Sequence, residues 1–567
     1  MVKRWEIKKR EKFSADDAAR LSVSSLTAEI LATRGITTYE AARQFLNPSL
    51  SDISDPHTLK DIDKAVKRLL LALERSERVC IYGDYDVDGI SGTALLVSFL
   101  RSVGLECGYF IPNRFADGYG MNTAAIARIS AQGYRLIVTV DCGISSINEA
   151  AYCRTVGVDL IVVDHHTPKD SLPDALAVLN PLRPDCQYPF KSLAGVGVAY
   201  CLLIALRRAL RERGAFTDSR EPSLADWLDL VALGTIADVV PLTGQNRILA
   251  YHGLKRMSTS PRMGINALKK VAGVSGAVSC GQVGFRLAPR LNASGRMESA
   301  AAGVELLLGD DSEVTGRLAA GLDTANQERQ DTERRIMEQT VAMIEESGTY
   351  PRCRSIVLAS AAWHQGVIGI VASRLVERYN RPVILMSIDA NGKAKGSGRS
   401  IRGFHLLDAL KACADKLERF GGHRYAAGVG LDAAMIAPFA DAFEGYAAAH
   451  ISSEQLVPCL DIDVEVAPQH VTLELAQELK RLEPFGAGNP EPVLMMRGMQ
   501  VVGSRIVGEQ HLRLRLLKND HCFDAIAFRM AGTELAGPLD IAFVPEVNGW
   551  NGNSKLQLKL KDIRTAQ

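Results

Sequence analysis

Three short runs of apolar and β-branched residues in the first half of the chain are each followed by acidic residues. These runs are Arg78–Gly83, Tyr134–Val140 and Asp159–Val163, which read RVCIYG, YRLIVTV and DLIVV. Helical text follows the first two runs, at Thr93–Leu100 and Ile147–Val156. Alternation of continuous apolar strands with helices predicts a parallel sheet that is covered on both faces. Ligands of such sheets bind at the carboxyl ends of the strands.

Aspartates and histidines occupy those carboxyl ends. They are Asp84, Asp86 and Asp88 after the first run, Asp141 after the second, Asp164, His165 and His166 after the third, and Asp238 in a fourth segment, GTIADVVPL. A single Asp-Gly at a strand end usually forms a turn or caps a helix. Four acidic segments at equivalent strand ends would converge, and their carboxylates would repel one another unless cations neutralised them.

The acidic pattern predicts two divalent metal ions held by Asp and His. Such a pair stabilises both the attacking and the leaving oxygen at phosphorus. Histidine among the ligands favours Mn²⁺, whereas Mg²⁺ is the more abundant ion.

Two other kinds of metal site do not match these residues well. The segment D-Y-D-V-D-G opens like an EF-hand loop, but Leu95 stands where that loop needs a bidentate Glu, and a strand precedes it. A zinc site also fits poorly, because no cysteine lies at ligand spacing near the two histidines.

The composition limits the class of protein. The chain has 567 residues, too many for one core, since single cores stop growing near about 250–300 residues. Lys and Arg total 66 against 65 for Asp and Glu, so contacts with nucleic acid must come from local patches. The 11 cysteines include no C-x-x-C pair, which favours a reducing compartment. We expect a cytoplasmic protein, because the sequence has neither a secretory h-region nor an apolar run long enough to span a membrane.

The second half of the chain changes its pattern twice. A polar, proline-free stretch from Ser312 to Glu346 predicts one long helix that connects two domains. Another α/β unit follows, with strands predicted near Ser355–Ala359 and Pro382–Met386 and Gly-rich loops after them. From about residue 456 several short alternating strands and an Asn/Gly turn at Asn548–Asn553 predict a small β-barrel.

Three Gly-containing segments combine residues that suit phosphate. They are Arg290–Arg296 (RLNASGR), Lys395–Ser400 (KGSGRS) and Gly421–Gly428 (GGHRYAAG). Arginine binds phosphate oxygens in a bidentate manner, and we interpret the glycines as flexible loops that expose backbone N–H groups. Residues 393–424 hold eight Lys or Arg against three Asp or Glu, so the nearly neutral chain contains a basic patch.

The motifs D-x-D-x-D-G, V-D-C-G, D-H-H and G-T-I-A-D-V-V-P-L, in this order, resemble the four motifs of the DHH phosphoesterase superfamily. With the later segments, the resemblance covers nearly the whole chain and is to the RecJ family of exonucleases. It implies an α/β fold in five parts: an N-terminal arm (1–55), a parallel-sheet DHH catalytic domain (56–311), a long connecting helix (312–348), a smaller α/β DHHA1 domain (349–455) and a C-terminal OB-like β-barrel (456–567).

The resemblance also implies roles for individual residues. The metal ligands would be Asp86, Asp88, Asp141, His165 and Asp238. Asp84 would be a ligand or an orienting base, Asp164 would orient His165, and His166 would touch the scissile phosphate. The strand would be held by Arg114, Arg290, Asn292, Arg296, Ser397, Arg399, Ser400 and His423. Cys142 stands where RecJ relatives often have Asn, and we interpret it as a tolerated neighbour rather than a catalytic thiol.

Four residues of the predicted barrel suit single-stranded DNA. Arg513 and Arg515 would contact phosphates, and Phe528 and Trp550 would stack on bases. For each aromatic side chain, a place in the barrel core or in a turn is an equally good interpretation.

The resemblance implies a metal-dependent exonuclease that degrades single-stranded DNA in the 5′→3′ direction. Its cofactors would be two divalent ions, Mn²⁺ or Mg²⁺. Its partners would be single-stranded DNA, a single-strand-binding protein and a helicase, and it would act as a monomer in recombination and repair. Two alternatives stay open: a DHH phosphodiesterase of cyclic dinucleotides or short oligonucleotides, and a non-catalytic replication scaffold that binds single strands.

Overall fold

Five parallel strands form the central sheet of the first half of the chain. The computed structural model describes residues 3–9, 12–113, 120–216, 221–297, 300–550 and 553–566. In spatial order the strands are Cys107–Phe110, Val79–Gly83, Leu136–Val140, Asp159–Val163 and Ala177–Leu179. The three predicted strands are confirmed as the middle of this sheet. The sequence pattern missed the edge strands, which are only four and three residues long.

Both faces of this sheet are buried, as the continuous apolar runs require. Val79 and Ile81 belong to one core, which includes side chains from the helices Val87–Ser102 and Gly195–Glu212. The alternate residues of the same strand, Cys80 and Tyr82, belong to a second core. The helices on that second side are Thr123–Ala131 and Ile147–Thr155.

A helical region completes this part of the chain. Its helices are Ile62–Glu74, Val87–Ser102, Thr123–Ala131, Ile147–Thr155, Gly195–Glu212, Leu228–Ala237, Gly244–Thr259, Met263–Val271, Cys280–Gln282, a π-helical turn at Val283–Leu287, Ala288–Met297 and Ala301–Leu308. The segment Arg290–Arg296, which we expected to be a loop, lies in the helix Ala288–Met297. That expectation was wrong, because its single glycine does not interrupt a helix that packs on neighbouring elements.

One helix of 36 residues, Ser312–Ser347, follows, which confirms the predicted long helix. A five-stranded sheet comes next, in the order Arg419–Gly422, Ala426–Asp432, Lys393–Arg399, Val383–Ile388 and Ile356–Ser360, with the helices Ile368–Tyr379, Leu406–Ala412 and Ile436–His450. The segment Lys395–Ser400 is not a flexible loop, because residues up to Arg399 form the middle strand, paired on both sides. Its side chains, rather than free N–H groups, are what this strand can offer to a ligand.

The C-terminal region is a closed barrel of five strands, as predicted. Its strands are Leu494–Val507, His511–Lys518, His521–Ala527, Leu539–Trp550 and Asn553–Thr565. The first of them pairs with both the second and the fourth, which closes the sheet. The third and fifth strands pair in parallel. A short strand, Val464–Glu465, and a helix, Leu473–Leu479, precede the barrel.

The N-terminal arm consists of the helices Ala15–Arg20, Ser25–Thr33 and Tyr39–Leu46, and its first strand, Arg4–Ile7, pairs with Cys459–Ile462. The arm shares a hydrophobic core with the barrel, in which Ile30, Leu31 and Leu46 lie among barrel residues such as Leu494 and Phe543.

By its internal contacts the chain forms two units. One consists of Ile7–Asp323 with Asp461–Gln567, and the other of Thr324–Leu460 with the residues up to Glu6. The five-part division by residue number stays a prediction. Among the described residues, no helix is both long and apolar enough to cross a membrane.

Candidate metal centre

The first acidic segment wraps around the start of a helix. The Asp86 carboxylate accepts hydrogen bonds from the backbone N–H groups of Asp88 (2.9 Å) and Gly89 (3.2 Å), and so caps the helix Val87–Ser102. A side chain at Gly89 would collide with the backbone of Asp84. Helix capping is therefore part of the role of Asp86, and the glycine lets the loop fold back tightly.

The side chain of Asp88 is buried against the N-terminus of a different helix. Its two carboxylate oxygens accept from the backbone N–H groups of Gly195 (2.6 Å) and Val196 (3.0 Å), the first residues of Gly195–Glu212. The positive end of a helix dipole favours a negative charge at this place. A Cβ atom on Gly234 would lie 2.7 Å from an Asp88 oxygen, so the carboxylate has little freedom to move.

Asp141 and His165 lie at the middle of the acidic cluster, which we define as Asp84, Asp86, Asp88, Asp141, His165 and Asp238. The His165 Nε2 atom is 3.1 Å from Asp141 Oδ1, 3.5 Å from Asp238 Oδ2 and 3.8 Å from Asp88 Oδ2. Asp141 has a left-handed backbone with φ of 64°, a conformation that non-glycine residues adopt at a cost, often at functional sites.

Asp238 belongs to the cluster, but the element that carries it is not the one that the sequence predicted. It is the C-terminal cap of the helix Leu228–Ala237 and not the end of a strand. The expectation was wrong because a short, fully apolar run does not distinguish a buried strand from a buried helix. The next residue, Val239, has φ of 61°, which stops the helix at this point.

The donor atoms fall into sets that suit cations. Ligand atoms of Asp84, Asp86 and Asp141 all lie within 4.8 Å of one another, and so do those of Asp88, His165 and Asp238. Within the described part of the chain, the buried Oδ2 atom of Asp238 has no hydrogen-bond donor. Oxygen-rich sets with one imidazole fit Mn²⁺ or Mg²⁺, so the residues present can hold two such ions.

The pKa values of the carboxylates also indicate that the cluster suits cations. Burial and the charge of Asp86 raise the pKa of Asp88 to about 7. Burial and the charge of Asp88 raise the pKa of Asp238 to about 9, and burial together with neighbouring aspartates raises that of Asp141 well above its usual range. These groups resist ionisation as a bare cluster, and cations would remove that penalty.

The two histidines are held in different charge states. Burial lowers the pKa of His165 to about 4, with a further contribution from neighbouring His166. A neutral imidazole is the form that ligates metals. Burial disfavours the charged form of His166 as well, but its hydrogen bond to Asp164 outweighs this effect and raises the pKa to about 9.

Asp164 orients His166 rather than His165, which corrects the expectation from the sequence. Its Oδ1 atom lies 2.8 Å from His166 Nδ1 and accepts from the backbone N–H groups of His165 (2.7 Å) and His166 (3.1 Å). The His165 ring instead lies beside Asp141, with its Nε2 atom 3.1 Å from Asp141 Oδ1. Adjacency in the sequence could not show which ring turns toward the carboxylate.

The helix Ala288–Met297 packs against the first acidic segment. Asn292 Oδ1 accepts from the Val87 N–H group (3.2 Å), and a Cβ atom on Gly295 would lie 2.6 Å from the Tyr85 carbonyl oxygen. Arg290 pairs with Asp323 through its Nε atom (2.8 Å). Asn292 thus supports the metal-centre loop, a role that the sequence pattern did not indicate.

A second group of candidates lies in the other unit. Arg399 donates from Nη1 to Ser397 Oγ (3.0 Å) and from Nε to Ser373 Oγ (3.1 Å). A Cβ atom on Gly369 would lie 2.8 Å from Ser397 Oγ and 3.1 Å from Arg399 Nη2. The helix Ile368–Tyr379, which carries Gly369 and Ser373, therefore fixes this guanidinium. Both residues were missed, because neither belongs to a phosphate-like motif.

The remaining candidates are placed as follows. Ser400 donates to the Phe404 carbonyl (3.0 Å) and His423 lies exposed in a hairpin turn. Arg114 lies outside the described residues, and only the backbone of Arg296 is described. Cys142 is buried and its thiol donates to the Tyr82 carbonyl (3.7 Å), as expected of a neighbour without a catalytic role.

The barrel presents a mixed cationic and aromatic surface. Phe528 is 50% exposed and contacts the ring of His511 edge-on at 5.2 Å, so it does not belong to the barrel core. Arg513 lies 3.9 Å from Asp524, and Arg515 donates to the Cys522 thiol (3.1 Å). The Trp550 side chain lies outside the described part.

Comparisons with known families agree with this arrangement. The model of the DHH family, N-terminal domain, matches residues 78–235, that of the DHHA1 domain 354–449, and that of the RecJ OB domain 462–562. Fold and site thus define a phosphoesterase of the DHH class. The single-stranded-DNA-specific exonucleases RecJ of Bacillus subtilis and Escherichia coli are each 37% identical, covering 100% and 99% of this chain and 71% and 100% of their own lengths. The chain belongs to the RecJ family.

Solved structures support the same assignment. The crystal structure of RecJ in complex with Mn²⁺ from Thermus thermophilus has a TM-score of 0.85 at 32% identity, covering 100% of this chain and 80% of that one. The structure of RecJ from the same organism in complex with Mg²⁺ has a TM-score of 0.80 and covers 79% of that chain.

Proposed function

We propose that this chain is a single-stranded-DNA-specific exonuclease that hydrolyses phosphodiester bonds in the 5′→3′ direction with two divalent metal ions, Mn²⁺ or Mg²⁺. The observation that carries the proposal is the convergence of five aspartates and His165 on one cluster, in a chain of the RecJ family. Crowded buried carboxylates with raised pKa values are what a pair of cations would stabilise.

Two ligand sets would hold the ions. Asp84, Asp86 and Asp141 form one set, and Asp88, His165 and Asp238 form the other. Asp141 belongs to the first set, and its Oδ1 atom is also 3.1 Å from His165 Nε2 in the second set. Its carboxylate would therefore connect the two sets. When bound, the ions would supply positive charge for the attacking and leaving oxygens and lower the pKa of the attacking water.

His166 would act on the scissile phosphate. Its hydrogen bond to Asp164 raises its pKa and favours the protonated ring, whose Nδ1 proton is directed at Asp164. The ring's other proton, on Nε2, would donate to a phosphate oxygen as negative charge develops there. Asp164 keeps the ring in this orientation.

Other residues would hold the strand. Arg399, fixed by Ser373 and Ser397, would bind the terminal phosphate. Further contacts would come from Arg114, Arg290, Asn292, Arg296, Ser400 and His423. On the barrel, Arg513 and Arg515 would bind phosphates, and Phe528 and Trp550 would stack on bases.

The biological setting rests on the RecJ resemblance. We propose that the protein acts as a monomer in the cytoplasm, in recombination and repair, alongside a helicase and a single-strand-binding protein. The two rival functions are less well supported. The closed barrel favours a strand over a cyclic dinucleotide, and the complete acidic cluster disfavours a non-catalytic scaffold.

Labelled oligonucleotides test the proposed activity. Strands labelled at the 5′ or the 3′ end should be degraded with Mn²⁺ or Mg²⁺ and left intact in EDTA, with the 5′ label released first as mononucleotide. Duplexes and a linear dinucleotide serve as comparison substrates. Faster cleavage of the dinucleotide would favour the short-substrate rival, and strand binding without cleavage would favour the scaffold.

A further inference from the structure

The loop formed by residues 141–144 carries a central member of the acidic cluster on an unusual backbone. Asp141 has φ of 64° and Gly143 has φ of 109°, so both lie in the left-handed region. A residue other than glycine adopts this conformation at a cost, and keeps it only where the surrounding contacts hold it. The contacts of this loop therefore decide how firmly the Asp141 carboxylate is placed.

The hydroxyl group of Thr139 makes one of these contacts. Thr139 lies on the strand that leads into the loop, and its side chain is buried. Its Oγ1 atom donates to the carbonyl of Cys142 (2.7 Å) and accepts from the backbone N–H group of Val163 (3.2 Å). A Cβ atom on Gly143 would lie 3.0 Å from this Oγ1 atom, so the glycine leaves room for the hydroxyl.

The same hydroxyl connects the ends of two strands. The regular register between its own strand and Asp159–Val163 ends one residue before Thr139. Beyond that point the hydroxyl binds the N–H group of Val163, whose carbonyl accepts from the N–H group of Asp141 (3.0 Å). Because Asp159–Val163 leads directly to His165, one side chain joins the segments that carry two central members of the acidic cluster.

A second contact fixes the far end of the loop. Asp164 Oδ2 accepts from the Ile144 N–H group (2.9 Å), while the other oxygen of this carboxylate holds His166. The loop is thus held by a hydroxyl and by a carboxylate. A substitution of Asp164 would disturb His166 as well, whereas a substitution of Thr139 acts on the placement of Asp141.

We propose that Thr139 is a positioning residue, which holds the Asp141 carboxylate in the geometry that binds the metal ions. Without the hydroxyl, the Cys142 carbonyl loses this donor, and the left-handed backbone at Asp141 is free to relax away from His165. Partners that orient a metal ligand typically change metal affinity or activity by about 10–100-fold when they are removed. The inference rests on the proposed two-metal function and adds to it a residue that touches neither metal nor strand.

Variants of Thr139 in the full chain separate the hydroxyl from the volume of the side chain. Thr139→Val keeps the shape and removes the hydroxyl, whereas Thr139→Ser keeps the hydroxyl and removes a methyl group. Binding of Mn²⁺ without DNA is measured from the EPR signal of the free ion. We expect the Kd for Mn²⁺ to rise about tenfold or more in Thr139→Val, and to stay within about twofold of the wild type in Thr139→Ser.

Thr340→Val is the matched control. Thr340 is also buried, and its hydroxyl donates to the Met337 carbonyl (2.9 Å) within the helix Ser312–Ser347. This variant should bind Mn²⁺ as the wild type does, and its melting temperature without metal measures the general effect of losing a buried hydroxyl. Should Thr139→Val fail to fold, Thr139→Ala takes its place and is compared with Thr139→Ser, since these two variants differ only in the hydroxyl.

The outcomes distinguish this inference from the proposed function. A wild-type chain that does not bind Mn²⁺ would contradict the two-metal function, and this inference with it. Wild-type affinity in Thr139→Val or Thr139→Ala would overturn the role of Thr139 alone. So would equal weakening in Thr139→Ser, which would assign the effect to the methyl group, or in Thr340→Val, which would assign it to stability. A chain that folds only with a hydroxyl at position 139 would also overturn it, because the role would then be structural.

Discussion

At the scale of single residues, the metal centre depends on atoms that serve two purposes. Asp86 and Asp88 are ligand candidates, and both also accept backbone N–H groups at helix starts. Such bonds fix a carboxylate before any cation arrives, which lowers the cost of ordering the site on binding. Asp141 and His165 make closer contacts with other cluster members, and substitutions there should affect chemistry more than fold.

Asp141→Asn should abolish cleavage while leaving strand binding largely intact. The amide keeps the shape of the side chain but removes the charge that would bridge the two ligand sets, so we expect a loss of roughly 10³-fold or more in single-turnover rate. Anisotropy with a labelled oligonucleotide measures binding. The matched control is Glu212→Gln, an exposed carboxylate paired with Arg208. More than a tenth of the wild-type rate in Asp141→Asn would refute its central role.

Asp164→Asn should move the alkaline limb of the pH–rate profile to lower pH. The His166 pKa is raised to about 9 by its bond to Asp164, so the wild-type imidazolium persists until the pH passes that value. Without the carboxylate the pKa falls, and the charged form is lost at lower pH, where wild-type activity is still present. A variant profile that is lower at every pH but unchanged in shape would instead indicate a purely structural role.

At the scale of elements, the sequence predicted best those segments whose hydrophobic pattern agrees with their place in the structure. Leu136–Val140 is buried along its whole length, and its apolar run therefore indicated both a strand and the placement of Asp141 at its end. Asp238 was assigned to the right cluster on the wrong element, because Leu228–Ala237 is equally apolar and pattern alone does not separate helix from strand there. Ser373 could not be predicted, since its contact with Arg399 joins residues 26 positions apart.

The helix Ile368–Tyr379 should influence recognition of the terminal phosphate through Arg399. We expect Arg399→Ala to raise KM most on 5′-phosphorylated strands and little on 5′-hydroxyl strands. Ser373→Ala should act in the same direction but less, because it removes one of the hydrogen bonds that hold the guanidinium and leaves the group itself in place. Ser347→Ala, whose hydroxyl bonds at the end of its own helix, is the control. Equal effects on both substrates would assign Arg399 to the general strand path or to the fold.

At the scale of the whole molecule, the barrel is integrated with the rest of its unit. Arm residues such as Ile30 and Leu31 are buried in its core. Arg247 is also buried, and donates to the carbonyls of Phe45 (2.9 Å) and Leu482 (2.8 Å). The arm, the helix Gly244–Thr259 and the entry to the barrel are therefore joined, and the barrel's role is best tested by surface substitutions.

The combined variant Arg513→Glu, Arg515→Glu and Phe528→Ala should bind long single strands more weakly and with a shallower dependence of affinity on salt. Fewer phosphates are neutralised and one stacking side chain is lost. Cleavage of very short strands should change little. Lys561→Ala, which breaks a pair with Glu491 elsewhere in the barrel region, is the control. An unchanged salt slope would reassign the barrel to partner docking.

A chain that ends at Ser453 should fail to fold correctly, although it retains every acidic-cluster residue. Removing the barrel exposes the apolar face of the arm, including Leu21, Ile30 and Leu31. We expect aggregation on size-exclusion chromatography and loss of a cooperative thermal transition. A monodisperse, cooperatively melting product would show that the arm packs adequately without its partner.

The common core of arm and barrel also bears on how the protein is made. Ile30 and Leu31 leave the ribosome long before the barrel strands from Leu494 onward. At about 5–20 residues per second, that interval lasts roughly 20–90 s. Throughout it the arm carries an apolar surface whose partner has not been synthesised. The arm of the nascent chain is therefore a natural client for a holding chaperone, and slower translation of the second half should lower the yield of native enzyme.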